Sequence, residues 1–133
     1  MAKKKKDKLG YPFLAFPRHI LSSPQYACLR PPAVKLLLDL FGQYNGTNNG
    51  DFCIAWQVMQ KRGWRSRDTL NRAEKELLKA GFIQKTRQGG RNRCNLYAVT
   101  WLRINECDGK LDVSETRVAS NEWKKTSTKT EQT

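Results

Sequence analysis

The sequence predicts an α+β fold, mainly helical with one small β-hairpin. Three observations predict it. Residues 54–79 (IAWQVMQKRGWRSRDTLNRAEKELLK) read as two helices broken at a glycine. Residues 82–101 switch to the alternation of strands around a Gly-Gly pair. Upstream, residues 31–41 (PPAVKLLLDLF) form an apolar helix behind a double proline. At 133 residues, one domain with charged tails is the expected organisation.

The helix pair carries most of the information. Its first helix, residues 55–62, is expected to lay Val58 and Met59 against a core. Gly63 ends it, because only glycine reaches the left-handed backbone region without steric cost. Trp64 and Arg65 carry the chain across the turn. Ser66 suits the N-cap of the second helix, its hydroxyl accepting from a free N–H of the first turn. Leu70, Ala73, Leu77 and Leu78 then recur at spacings suited to one apolar stripe. Arg67, Asp68, Asn71, Arg72 and Lys75 fall on the other side, and Gly81 stops the helix.

Two helices joined by a short glycine-containing turn make a helix-turn-helix unit. A basic, amide-bearing outer face on its second helix meets the needs of the DNA major groove. Long donors serve phosphates and guanine, and an amide serves adenine. The same pattern fits a plain αα corner with a solvated face, so the residues leave both open. Asp68 reads as a complement to the helix dipole in the first turn.

Composition narrows the partners. The formal charge is +13, with 25 basic residues against 12 acidic ones, and the isoelectric point is about 9.9. Such an imbalance favours polyanions, nucleic acid or an anionic membrane surface. No apolar run approaches the ~20 residues needed to span a bilayer. The basic N-terminus lacks the apolar stretch of a signal peptide. A cytoplasmic protein with no membrane partner is expected.

Cys28, Cys53, Cys94 and Cys107 are scattered singly, and His19 is the one histidine. No close C-x₂₋₄-C pair marks a structural zinc site. The first three cysteines sit among apolar neighbours and are expected as small core residues in a reducing compartment. No metal, cofactor or small-molecule substrate is expected. Catalysis finds no support either: no nucleophile stands beside a base, and no carboxylate pair is framed by a pocket motif.

Residues 1–8 (MAKKKKDK) cannot bury themselves and are expected to be disordered. A solubilising leader, a phosphate-following or minor-groove arm and a nuclear localisation signal all fit the block, Lys3–Lys6 included. Residues 9–21 (LGYPFLAFPRHIL) read as an extended strip over the domain, anchored by Tyr11, Phe13, Phe16 and Ile20. Ser23-Pro24 starts a helical turn that points Tyr26, Cys28 and Leu29 inward. In the next helix Val34, Leu37, Leu38 and Phe41 are expected to be buried, with Leu36 and Leu40 beside them. Residues 43–50 (QYNGTNNG) read as a turn needing positive φ; the P-loop lysine and Walker spacing are missing. A very short strand over residues 51–54 follows.

In the hairpin, FIQKTR is the first strand, QGGRNR the turn and CNLYAVTW the second strand. Cys94, Leu96, Ala98 and Thr100 alternate with Asn95, Tyr97, Val99 and Trp101. Gly89-Gly90 is a hairpin signal, since both tolerate φ > 0. Lys85, Arg87, Arg91 and Arg93 are placed around the tip. Across residues 54–103, twelve basic residues stand against three acids, a balance of +9 within the total of +13. Positive charge is therefore concentrated on the helix pair and hairpin. Residues 104–125 carry Leu111, Val113, Val118 and Trp123 at wide spacing. An irregular extension with Trp123 docked on the domain and a segment contacting a partner or second copy both fit. Residues 126–133 are expected to be disordered.

The stretches FPRHILSSPQYACLRPPAVKLLLDLFGQYNGTNNG, SRDTLNRAEKELLKAGFI, TRQGG and LYAVTW resemble small bacterial, phage and mobile-element proteins of the winged helix-turn-helix class. The resemblance runs from about Phe13 to Trp101, about two-thirds of the chain, within a domain of residues 9–103. In that group TL-RA--EL---GFI marks the recognition helix running into the first wing strand. The resemblance implies binding to double-stranded DNA, as a transcriptional regulator or a replication accessory of a mobile element. On this reading the DNA-binding candidates are Arg65, Ser66, Arg67, Asn71, Arg72, Lys75, Lys85, Arg87, Arg91, Asn92 and Arg93. Arg67, Asn71 and Arg72 would read bases, Ser66 and Lys75 would hold phosphates, and Arg87, Arg91 and Arg93 would act from the wing. A homodimer is left open. Two other readings remain, a phage-type inhibitor that binds a host protein and an RNA-binding module. The latter lacks a series of exposed stacking aromatics.

Overall fold

The computed structural model describes residues 10–125. Those residues form five α-helices and a three-stranded antiparallel sheet, an α+β arrangement. The expectations for residues 1–8 and 126–133 lie outside the described residues.

Two single-turn helices come first, α1 (Arg18–Leu21) and α2 (Pro24–Ala27). Ser23 joins them: its hydroxyl accepts from the Tyr26 N–H at 3.1 Å and donates to the Ile20 carbonyl at 2.7 Å. Of the four strip anchors, Phe16 and Ile20 turn inward, Phe16 against Phe41 and Trp101. Tyr11 and Phe13 stay exposed. Cys28 is also exposed, contrary to expectation, since a helix of one turn offers only one inward side.

Helix α3 (Pro31–Phe41) starts at its double proline, whose missing N–H groups are not needed in a first turn. It buries Ala33, Leu36, Leu37, Leu40 and Phe41. The expected face was rotated from this one, for Leu38 is exposed and Val34 only half-buried. A leucine run supports two helical phases, and the neighbours choose between them. Here Lys35 lies on the exposed side, and Asp39, largely buried, is held by two partners: Lys35 meets it at 3.1 Å and the Trp64 indole donates to it at 2.8 Å.

Helix α4 (Trp56–Lys61) and helix α5 (Arg67–Ala80) follow, α5 packed on α3. Only Met59 of α4 is buried; Val58, one position earlier and about a quarter-turn round the helix, is exposed. Gly63, with φ +100°, makes the break. Ser66 caps α5 by accepting from the Thr69 N–H at 3.1 Å. Leu70, Ala73 and Leu77 form the buried stripe, and Leu78 is half-buried at its margin. Gly81, at φ +84°, ends the helix in the left-handed region.

The sheet has the order β1-β3-β2, with β1 (Phe52–Cys53), β2 (Ile83–Arg87) and β3 (Leu96–Val99). Phe52 pairs with Tyr97, and Ile83 with Val99. The β2–β3 register slips between Lys85 and Arg87. Leu96 to Trp101 are buried without a break, so the expected alternation of one wet face fails. The cause is the stretch 104–125, which closes over the sheet. The Asp112 N–H donates to the Thr86 carbonyl at 2.8 Å, and the Asn121 N–H to the Thr100 carbonyl at 2.8 Å. Trp123 stacks on Phe82 with ring centroids 5.9 Å apart.

The turn chemistry also differs from expectation. Neither Gly89 nor Gly90 has positive φ; Asn92 does, at 63°. Gly89 is needed for closeness instead, because a Cβ there would lie 2.6 Å from the Arg93 carbonyl oxygen. The asparagine loop before β1 is structural. Asn49 is fully buried and ties residues 99–103 to the loop through four side-chain hydrogen bonds.

Cys53 and Cys94 are half-buried and face one another with sulfurs 2.9 Å apart. Burial, with the Cys94 thiol beside it, pushes the Cys53 thiol up to about 11. The reactive thiolate is therefore scarce at neutral pH. In timed alkylation at pH ~7.5 followed by peptide mapping, exposed Cys28 is expected to label first and Cys53 at least about tenfold more slowly. Equal rates would mean that the β1 edge opens in solution.

Candidate nucleic-acid interface

The outward ridge of α5 carries Asp68, Asn71, Arg72, Lys75 and Lys79, all exposed. These positions recur at helical spacing and lie opposite Leu70, Ala73 and Leu77. The stretch 104–125 meets the C-terminal end of α5, where a Cβ on Gly81 would lie 2.7 Å from the Glu122 carbonyl oxygen.

Each predicted residue has a definite place. Arg65 is exposed in the turn before α5, and Ser66 is the cap. Arg67 opens the helix with its guanidinium over the Trp56 ring, 5.2 Å from the centroid. Asn71 and Lys75 are exposed. Arg72 is exposed and held to Asp68: Nε donates to Oδ2 at 3.1 Å, and Nη2 donates to the same oxygen. Arg91, Asn92 and Arg93 are exposed at the hairpin tip. There Gly90 and Arg93 exchange backbone hydrogen bonds of 3.1 and 3.2 Å, which leaves Arg91 and Asn92 as the two turn residues.

Two predicted residues are not at the tip. Lys85 lies half-buried in β2, with Nζ donating to Gln88 at 3.3 Å. Arg87 is also half-buried and reaches across the hairpin, its Nη2 donating to the Cys94 carbonyl at 2.9 Å. Arg87 thus braces the hairpin from inside. The register slip beside it turns the side chain away from the position that simple alternation implies.

The link between α5 and the hairpin is Tyr97. Its hydroxyl donates to the Glu74 carboxylate and accepts from Asn95 Nδ2 at 3.4 Å. Burial, then the Glu74 carboxylate, push that hydroxyl well above the ordinary phenol range, so it stays protonated and keeps donating. Glu74 is held by this bond against the hairpin.

Three further residues bear on the surface and were missed from sequence. Trp56 was read only as part of its helix, yet it is the platform for Arg67. Arg30 and Lys79 line a groove of about 600 Å³ with Thr69, Arg72, Lys75 and Glu76. Glu76 is engaged there, accepting from the Arg30 N–H at 2.8 Å. The signal for Arg30 is non-local, because only the packing of α3 on α5 brings it there. The residues present suit polyanion binding: flexible cations on one ridge, an amide among them, and two of the three acids of α5, Glu74 and Glu76, bonded to neighbouring elements while Asp68 stays on the ridge.

Comparison with protein-family models, with curated proteins and with solved structures returns no match. Among the described residues no helix is long and apolar enough to cross a membrane.

Proposed function

We propose that this chain is a cytoplasmic duplex-DNA-binding protein of winged helix-turn-helix type, serving as a transcriptional regulator or replication accessory of a phage, plasmid or other mobile element. Helix α5 enters the major groove, and the β2–β3 hairpin is the wing that follows the backbone. The observation that carries this reading is the uncovered ridge of α5, with Asn71 set among Arg67, Arg72 and Lys75. The exposed tip with Arg91, Asn92 and Arg93 supports it. Arg67 and Asn71 read bases, while Arg65, Lys75, Arg91 and Arg93 neutralise phosphates.

Selection of bound sequences from a random duplex library, at stated salt, tests the reading. Arg91→Ala should weaken binding to all sequences alike and flatten the salt slope by about one unit. Asn71→Ala should relax base preference at a cost of ~1–3 kcal/mol. If neither change alters duplex binding, these faces do not bind DNA. A palindromic selected motif would mark a two-fold dimer. Displacement of the duplex by structured RNA would favour an RNA-binding module instead.

One observation favours a second reading, a protein-interaction module. Tyr11, Phe13 and Leu14 expose apolar surface side by side on the extended strip. A stable protein partner with no duplex binding at low salt would decide for it.

A further inference from the structure

We propose that Asp68 is a specificity-determining residue. With Arg72 it forms a joint acceptor–donor reader for a guanine beside an amine-bearing base in the major groove. This rests on the duplex-binding reading above.

The geometry of the pair is the first argument. Asp68 and Arg72 are one turn apart on the outward ridge, with side chains 72% and 74% exposed. Both contacts fall on Asp68 Oδ2 and use the Nε–Nη2 edge of the guanidinium. That side-on contact leaves the Nη1–Nη2 end for another acceptor. A guanine presents two acceptors, O6 and N7, to which an arginine docks bidentately. An arginine already held at its Nε edge loses less side-chain freedom on docking. The carboxylate, for its part, only accepts. It matches the amine of cytosine N4 or adenine N6 and opposes the bare acceptors of guanine and thymine.

The place of the acid is the second argument. Helix α5 carries three acids, Asp68, Glu74 and Glu76. Glu74 holds the Tyr97 hydroxyl and Glu76 the Arg30 N–H, both on the flanks. Asp68 lies on the ridge itself, among residues suited to phosphates. There it weakens attraction to any polyphosphate, whatever its sequence. An exposed ion pair one turn apart and the helix dipole at the first turn each add little to stability, so folding offsets that penalty only in part. A base amine does offset it, and only at matching sequences. Repelling the wrong partner is a recognised route to specificity.

The test compares wild type, Asp68→Ala and Asp68→Asn by library selection and by binding isotherms to random duplex. Thermal melts check folding. For Asp68→Ala, affinity for random duplex should rise several-fold, with a salt slope about one unit steeper as Arg72 turns to phosphate. Preference for the guanine and its neighbour should fall by about tenfold. Asp68→Asn, which loses the charge and gains a donor, should shift the preferred neighbour toward adenine, to which an amide docks bidentately. A folded Asp68→Ala protein that keeps the wild-type base preference overturns this inference, as does one that loses affinity for random duplex. Wild-type protein that fails to bind any duplex at about 50 mM salt overturns the DNA-binding reading itself.

Discussion

Asn49→Ala is expected to lower folding stability by about 3–5 kcal/mol, a fall in Tm of roughly 10–20 °C. The Asn49 amide nitrogen donates to the carbonyls of Val99, Leu102 and Arg103 at 3.0, 3.2 and 2.9 Å. Its Oδ1 accepts from the Val99 N–H at 2.9 Å. Removing the side chain leaves one N–H and three carbonyls short of a partner, and each buried orphan costs about 1–3 kcal/mol. Relaxation and entering water recover part of the sum. The backbone pairing survives, since the Asn49 N–H still donates to Asn105 Oδ1 at 2.8 Å and the Asn105 N–H to the Asn49 carbonyl at 3.0 Å. Asn49→Asp should be at least as harmful, because it turns an acceptor toward three carbonyls. Urea unfolding followed by circular dichroism measures the loss. A change under about 1 kcal/mol would show that water can stand in for the amide.

The second large effect is on binding. The triple change Arg65→Ala, Lys75→Ala and Arg91→Ala is expected to flatten the log–log salt slope by nearly three units. Each phosphate neutralised contributes about 0.9 of slope, so at about 0.1 M salt the affinity should drop by roughly 10²–10³-fold. The three side chains lie in exposed places, so stability should change little. Lys110→Ala is the matched control. It removes one cation from the stretch over the sheet, where Lys110 meets Asp51 at 2.9 Å, and should leave the slope unchanged. If the control weakens binding as much per charge as the triple variant does, attraction is general and no particular face is responsible.

Local features of this chain are readable from its residues, and non-local ones are not. The stripe of α5 follows from Leu70, Ala73 and Leu77 between a serine cap and a terminal glycine, all within one helix. Both hairpin strands follow from their β-rich runs, and Phe52–Cys53 from its place ahead of α4. The phase of α3 does not follow, because it depends on Trp64 reaching Asp39 from another element. Arg87 was misplaced for a similar reason: a slip of one residue at Thr86 re-aims it, and no local signal marks the slip. Residues 104–125 lack period because they are held mainly through backbone bonds to strands far away in sequence, as at Thr86 and Thr100. The candidate interface divides in the same way. Its exposed cations were legible from charge and helical spacing. Their platforms and partners, Trp56 beneath Arg67 and Glu76 beside Arg30, required the packed helices.

The central claim is that cations of α5 and the hairpin tip hold the phosphates of a duplex. The most direct measurement is wild-type affinity for a random-sequence duplex across about 50–300 mM salt. Engagement of Arg65, Lys75, Arg91 and Arg93 predicts saturable binding whose log K falls linearly with log salt, with a slope of about −3 to −4. No saturable binding at the low-salt end, or a slope near zero, would contradict the account.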